Sequence, residues 1–327
     1  MIDFRYHLVS IIAVFLALAI GLAVGSTALS GKAVEFLNSR ERAAVADNAS
    51  LTKRNQALTN QLAADQAFAQ AASRRLVGGL LTHEKVVLVV APGADSAVTD
   101  GVAATLRQAG ATVTGEVNLQ QSFLTTTGVT ETNLTQLAQN LAAQTGLAPP
   151  AQSASPVSGQ QAVAQLLAAS LLDSPPGTST VSVKATQDIM AGLEHDGFVQ
   201  ADSKTPAPAN LAVLVAPGGA PPQTGNEVLV TVATQLKEAS SGTVMAGGSE
   251  SVGAGSVISD ENSSADPVST VDNADTEFGQ IMVAQALRYL LEGKAPAAYG
   301  IGSGIVPSPA PTPSATASPT TTAGGHP

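Results

Sequence analysis

From Leu8 to Gly31 the chain carries no charged side chain, in the run LVSIIAVFLALAIGLAVGSTALSG. A helix rises about 1.5 Å per residue, so about 20 apolar residues cross the hydrocarbon core, and this run is long enough to do so. A buried core helix and a cleaved signal peptide are the other readings. A signal core usually spans about 7–15 residues with an A-x-A-like exit. This run is longer, and its one passable exit is Ala28-Leu29-Ser30. The pattern therefore predicts an uncleaved transmembrane anchor over residues 1–31. Within it Ala13, Ala17, Gly21 and Gly25 recur at every fourth position, the small-residue spacing that lets two helix backbones approach.

Residues 32–77 contain neither proline nor glycine and read as one long helix. Val34, Glu41, Asn48, Asn55, Leu62, Ala69 and Leu76 fall seven apart, as do Leu37, Ala44, Leu51, Leu58, Asp65 and Ala72. These are the alternating a and d positions of a heptad repeat. The predicted coiled-coil core is Val34, Leu37, Asn48, Leu51, Asn55, Leu58 and Leu62. Asparagine at a beside leucine at d fixes register and disfavours higher oligomers. A coiled coil directly after a membrane span is parallel, so the pattern predicts a parallel homodimer or a higher homo-oligomer. The alternative is a single amphipathic helix packed on its own domain.

Gly78-Gly79 then ends the helix, and the period changes. Lys85-Val86-Val87-Leu88-Val89-Val90 is a continuous apolar run of the kind buried in parallel sheets. It is followed by Ala91-Pro92-Gly93, a helical stretch near 96–109, Gly110, and a second strand around 111–117. The plan returns at Leu211-Ala212-Val213-Leu214-Val215, with Ala216-Pro217-Gly218-Gly219, a helix near 225–239 and a strand at 243–246. Helical patterns lie between, at roughly 131–145, 160–172 and 186–195, with a Pro/Ser linker at 148–159. The predicted class is α/β: a transmembrane helix and a coiled-coil helix, then a duplicated Rossmann-like βαβ domain over 78–305, with halves at about 78–147 and 205–304. The tail 306–327, VPSPAPTPSATASPTTTAGGHP, is too poor in apolar residues to build a core and is expected to be disordered.

Composition narrows the function classes. The 327 residues carry 15 Lys+Arg against 25 Asp+Glu, a formal charge of -10. Residues 31–77 are net +3 and residues 78–327 net -13, so the chain is not one homogeneous globule. The acidic balance argues against nucleic acid, whose phosphates call for clustered Lys/Arg. The absence of cysteine removes disulfides, zinc ribbons, Fe–S clusters and thiol nucleophiles.

Ligands of open α/β sheets sit at the carboxyl ends of the strands. The candidates there are 92–95, 217–219 and the glycine-rich 247–255, none of which matches G-x-G-x-x-G, a P-loop or G-x-S-x-G. No nucleophile–base pair is legible, so the reading is non-enzymatic with no assigned cofactor. Asp266, Asp272, Asp275 and Glu277 fit no EF-hand spacing, and Asp272-Asn273 reads equally well as a turn or helix cap. The histidines are His7, His83, His195 and His326, and the methionines after the start are Met190, Met245 and Met282. None forms an H-x-H or M-x-M pair or an i, i+4 pair of the kind soft or imidazole-seeking metals use. Met190 and Met282 read as core and His83 as surface. Should a metal bind, the places to test are His83, His195, Met190, Asp272 and Asp275.

The N-terminus IDFRYHLVSIIAVFLALAIGLAVGSTAL resembles the start of the actinobacterial copper transporter family typified by mycobacterial copper transport protein B. The long helix follows as in that family, as do the block Val268–Thr276, Gly279 and Tyr299-Gly300. The resemblance covers residues 2 to about 304. It implies a membrane-anchored envelope protein of copper homeostasis, acting in efflux, with copper ion as the transported species. An outer-membrane channel has been proposed in that family, but spanning barrels need many alternating strands of about 10 residues, and the apolar signal here is one helix plus a βαβ repeat. A second reading is a non-enzymatic envelope scaffold whose coiled coil dimerises and whose α/β domain binds a partner. For topology, Arg5 precedes the span, while Lys32, Arg40 and Arg42 follow it, which leans toward a cytoplasmic C-terminus. The resemblance and the Pro/Thr tail favour a single-pass protein with its C-terminal domain exported, the orientation expected here.

Overall fold

The structure is a computed structural model that describes residues 4–148, 158–173, 181–202, 205–219 and 223–302, without the side chains of 4–5, 26–34 and 223–224. It divides into two compact units, Met1–Asp65 and Gln66–Pro327.

The first unit is helix α1 (Phe4–Val77) as far as Asp65. Apart from Gly21, Gly25 and Gly31, no residue in it breaks a helix. Its Ser39, Thr52 and Thr59 hydroxyls donate back to the carbonyls of Phe36, Asn48 and Asn55, which satisfies them inside a helix. The stretch Tyr6–Gly25 has a mean hydropathy of 2.8 and no buried residue. Leu37, Leu51, Leu58 and Leu62 are each more than half exposed.

The second unit begins with the last turns of α1, which stop where Gly78 N–H donates to the Arg74 carbonyl and Gly79 takes φ 81°. A seven-stranded sheet follows, in the order β3-β2-β1-β4-β5-β6-β7. The strands are β1 (Lys85–Val90), β2 (Thr112–Leu119), β3 (Val199–Ala201), β4 (Leu211–Val215), β5 (Gly242–Ala246), β6 (Ser269–Val271) and β7 (Ala298–Tyr299). All pairings are parallel except that of β3 with β2. The helices are α2 (Ser96–Gln108), α3 (Gly128–Thr145), α4 (Ser158–Leu171), α5 (Val183–His195), α6 (Gln223–Ala239), α7 (Val257–Asn262) and α8 (Glu277–Leu291). The unbroken apolar runs of β1 and β4 are explained by burial on both faces. Val87 and Val89 join a core with Leu134, Leu167, Ile189 and Val232. Val86, Leu88 and Val90 join a second core with Val77, Leu106, Met282 and Leu287. Asp95, Thr127, Ser182, Ser256 and Thr276 cap their helices with side-chain oxygens.

The expected strands at 85–90 and 211–215 stand as read. The second strand runs two residues further, to Leu119, and the intervening helices are α3, α4 and α5. Strands β3, β6 and β7 are absent from the sequence reading because three residues or fewer carry no alternation to detect. The expected tail and residues 149–157 of the linker lie outside the described residues.

One buried carboxyl ties stability to pH. Glu261 of α7 is fully buried, and its Oε1 accepts from Val268 N–H at 2.7 Å, while Oε2 has no partner among the described residues. Burial pushes the carboxyl from 4.5 up to about 6, against the opposing pull of the Val268 N–H and of Lys237. The folded chain then holds the proton more tightly than the unfolded chain. The contribution of this group is greatest below about pH 4.5 and falls by about 2 kcal/mol as pH rises to about 6. Glu261→Gln is expected to remove that fall. Chemical denaturation of both proteins between pH 4 and 7 measures it, and parallel profiles would show an ordinary carboxylate.

Candidate functional site

The strand order is that of a doubly wound sheet, and the winding reverses between β1 and β4, where the crevice of such folds opens at the carboxyl ends. The repeated Ala-Pro-Gly segments meet there. Gly93, at φ 83°, turns the chain into α2, and its carbonyl accepts from Gly218 N–H at 3.2 Å. Gly219 N–H donates to the Glu250 carbonyl at 2.9 Å, and Ser251 Oγ donates to the Pro217 carbonyl at 2.8 Å. The β5 and β6 loops join in the same way, with Ala274 N–H on the Gly247 carbonyl and with Ser249 N–H and Oγ on the Asp275 carboxylate.

These contacts decide what the crevice can do. A phosphate site needs glycine-loop N–H groups pointing at the ligand. Here those of Gly218, Gly219 and Ser249 already donate to protein acceptors. The loops 91–95, 216–219, 247–256 and 272–276 hold Asp95, Glu250, Asp272 and Asp275, and no Lys or Arg. Their charge repels an anion. Asp272 is buried, and its two carboxylate oxygens accept from Ile301 N–H at 2.7 Å and Gly302 N–H at 2.8 Å. Gly300 makes that wrap possible, because with φ 135° it leaves no room for a Cβ beside the Asp272 carboxylate. Asp95 caps α2 through Ala97 N–H at 2.8 Å.

The other sequence candidates lie apart. Met190 is buried in the core with Ile189 and Leu193, whereas His195, in the last turn of the same helix, is exposed. His83 is exposed in the α1–β1 turn at φ 72°, a left-handed conformation in which histidine is one of the better tolerated residues. Met245 and Met282 are buried. Among the described residues no three His, Asp or Glu side chains come together in a way that could hold a metal. In the first unit Ala13, Ala17, Gly21 and Gly25 are exposed, as are Asn48 and Asn55. Nothing stands within 4 Å of a Cβ built on Gly21 or Gly25. Val34 lies among the residues whose side chains are not described.

A feature the sequence reading misses lies between α3 and the α5–β3 turn. There Asn133, Gln136, Leu137, Asn140, Asp196 and Phe198 line a cavity of about 430 Å³. The amides recur at i, i+3 and i+7 on a helix that is legible in the sequence. What faces them is fixed only by the fold.

Comparison with known proteins extends over nearly the whole chain. Residues 1–308 match the model of a family described as copper transport outer membrane protein, MctB. The chain is 30% identical over 312 residues to the copper transporter MctB of Mycobacterium tuberculosis (strain H37Rv) and to that of Mycobacterium bovis, an alignment covering 93% of this chain and 98% of each relative. It is 29% identical over 315 residues to the copper transporter MctB of Mycobacterium leprae, with the same coverage.

Proposed function

Given that this chain belongs to the MctB family of copper transport outer membrane proteins, we propose that it is a membrane-anchored envelope component of copper efflux, working as a parallel homodimer with its α/β unit exported. The observation that carries this reading is the extent of the family match. It takes in the apolar span, the heptad helix and the sheet together rather than one module. Copper is the cargo. The heptads support the dimer, because Leu37, Leu51, Leu58 and Leu62 lie exposed on a helix with no core of its own. Asparagine at two successive a positions favours two strands in register over larger bundles. Export is supported by the family's description and by the Pro/Thr-rich composition of the C-terminal segment.

The test is copper content per cell in a deletion strain and its complemented control at moderate external copper. Raised copper that returns to normal on complementation is the expected result. Unchanged copper would overturn the efflux role. It would favour the second reading, an anchored scaffold whose α/β unit binds a partner, which the hydrogen-bonded closure of the crevice loops supports. Orientation is read separately, by protease digestion of intact, wall-stripped cells. Loss of the C-terminal segment is expected, and full protection would overturn export.

A further inference from the structure

The heptad seam of α1 is not apolar throughout. Three successive a positions are polar, Glu41, Asn48 and Asn55, and each directly follows a charged residue at g: Arg40, Asp47 and Arg54. A helix that merely faces water carries its charges opposite the apolar stripe. Here only Arg42 and Lys53, of the seven charges from Arg40 to Asp65, lie on the outer b, c and f positions. A solvated helix also pairs its charges at three or four places along itself. No charge from Arg40 to Asp65 has an opposite charge at either spacing, and the ion pairs among the described residues all lie in the second unit. Arg40 instead sets its guanidinium 5.0 Å over the ring of Phe36, one turn back. The charges of this stretch are therefore gathered at the seam and left unmatched within the single chain.

Heptad geometry gives that placement a use. In a parallel pair each a side chain enters a hole of four residues on the facing helix, one of which is the g residue just before the facing a. Glu41 of one copy then stands beside Arg40 of the other, and two-fold symmetry makes the same contact twice. Asn48 meets the other copy's Asp47 through its amide N–H, and Asn55 meets the other copy's Arg54 through its amide carbonyl. Without Arg40 the Glu41 layer would bring two carboxylates together. A slip of one heptad would set Glu41 beside Asp47, again two acids. A foreign heptad helix matches this surface only if it carries the same base and acid at the same two positions, whereas a second copy always does. We infer that Arg40 of each copy pairs with Glu41 of the other across the seam, and that these two ion pairs select a second copy of this chain, parallel and in register, over other heptad helices. The pairing rests on the parallel homodimer and supplies the feature that chooses its partner.

Charge reversal, read by sedimentation equilibrium of the full chain in density-matched detergent, tests it. Arg40→Glu alone sets adjacent acids of one copy against those of the other, and Glu41→Arg alone does the same with bases. Each variant is expected to dimerise about tenfold more weakly than the wild type, because two ion pairs have turned repulsive. An equimolar mixture of the two variants restores opposite charges within the heterodimer, and is expected to associate as tightly as the wild type. Circular dichroism should show the same helix content in all three proteins, since both side chains are exposed and Arg and Glu are equally good helix formers. Variants that dimerise as tightly as the wild type would overturn the pairing and leave the dimer in place. A mixture no tighter than either variant alone would do the same. A wild type that stays monomeric would overturn the dimer and the pairing together.

Discussion

Gly279→Ala is expected to destabilise the α/β unit by about 3 kcal/mol, the upper end of what overpacking a filled site costs. Gly279 sits in the first turn of α8, where a Cβ would overlap the Asn273 carbonyl and stand 2.8 Å from the Ala274 nitrogen. A clash with the end of a side chain relaxes cheaply, whereas this one is with backbone. That backbone is pinned, because Ala274 N–H donates to Gly247 and the Asn273 carbonyl accepts from Thr276 N–H and its hydroxyl. Relief must come from α8 moving out. That helix supplies Ile281, Met282, Val283, Ala284, Ala286 and Leu287 to one face of the sheet, so its displacement opens that core. The near-ultraviolet signal of Tyr289 and Tyr299, both in this unit, follows its unfolding. Gly128→Ala is the control, since nothing lies within 4 Å of its would-be Cβ, and it should shift stability by under about 0.5 kcal/mol. A Gly279→Ala protein as stable as that control would contradict the close packing described.

Leu51→Ala together with Leu58→Ala should weaken self-association on the order of 10⁵-fold. The two substitutions remove four leucines from a two-chain seam, at about 2 kcal/mol each for side chains buried by association, and every 1.4 kcal/mol is tenfold. The complementary pair, Asn48→Leu with Asn55→Leu, should tighten association and admit species larger than a dimer, since the polar a positions that select two strands are gone. Sedimentation equilibrium in density-matched detergent distinguishes these results. A wild-type protein that stays monomeric at every concentration would dispose of the coiled-coil dimer, and a stable trimer would dispose of its stoichiometry.

Periodicity and punctuation carried most of the architecture. The change from a seven-residue repeat to unbroken valine runs separated the long helix from the sheet, and the repeated Ala-Pro-Gly segments marked the two strands that became neighbours, β1 and β4. Strands β3, β6 and β7 draw their existence from neighbours already in place, which no local window displays. For the candidate ligands the spacing was a fair guide to burial, since Met190 and Met282 read as core and His83 as surface and lie so, but not to which side chains meet in space. Met190 and His195 share α5, yet one is buried and the other exposed. Asp272 read equally well as a cation ligand and as a turn or cap residue, and its carboxylate accepts from two successive backbone N–H groups. Asp196 and Phe198 lie more than 50 residues from Asn140, and only the packing of α3 against α5 makes them one surface.

The hold of Asp272 on Ile301 and Gly302 also sets how this unit would bear a load. Strand β7 is two residues long, is joined to β6 through Thr270 and Asp272, and forms one edge of the sheet. Tension applied from the C-terminal side would reach the carboxylate clasp first and the two strand bonds next, in series, peeling the edge open one bond at a time. Tyr299 would come away before β5 or β4 felt any strain. A load carried at Gly302 would therefore open the rim of the sheet before it strained the centre.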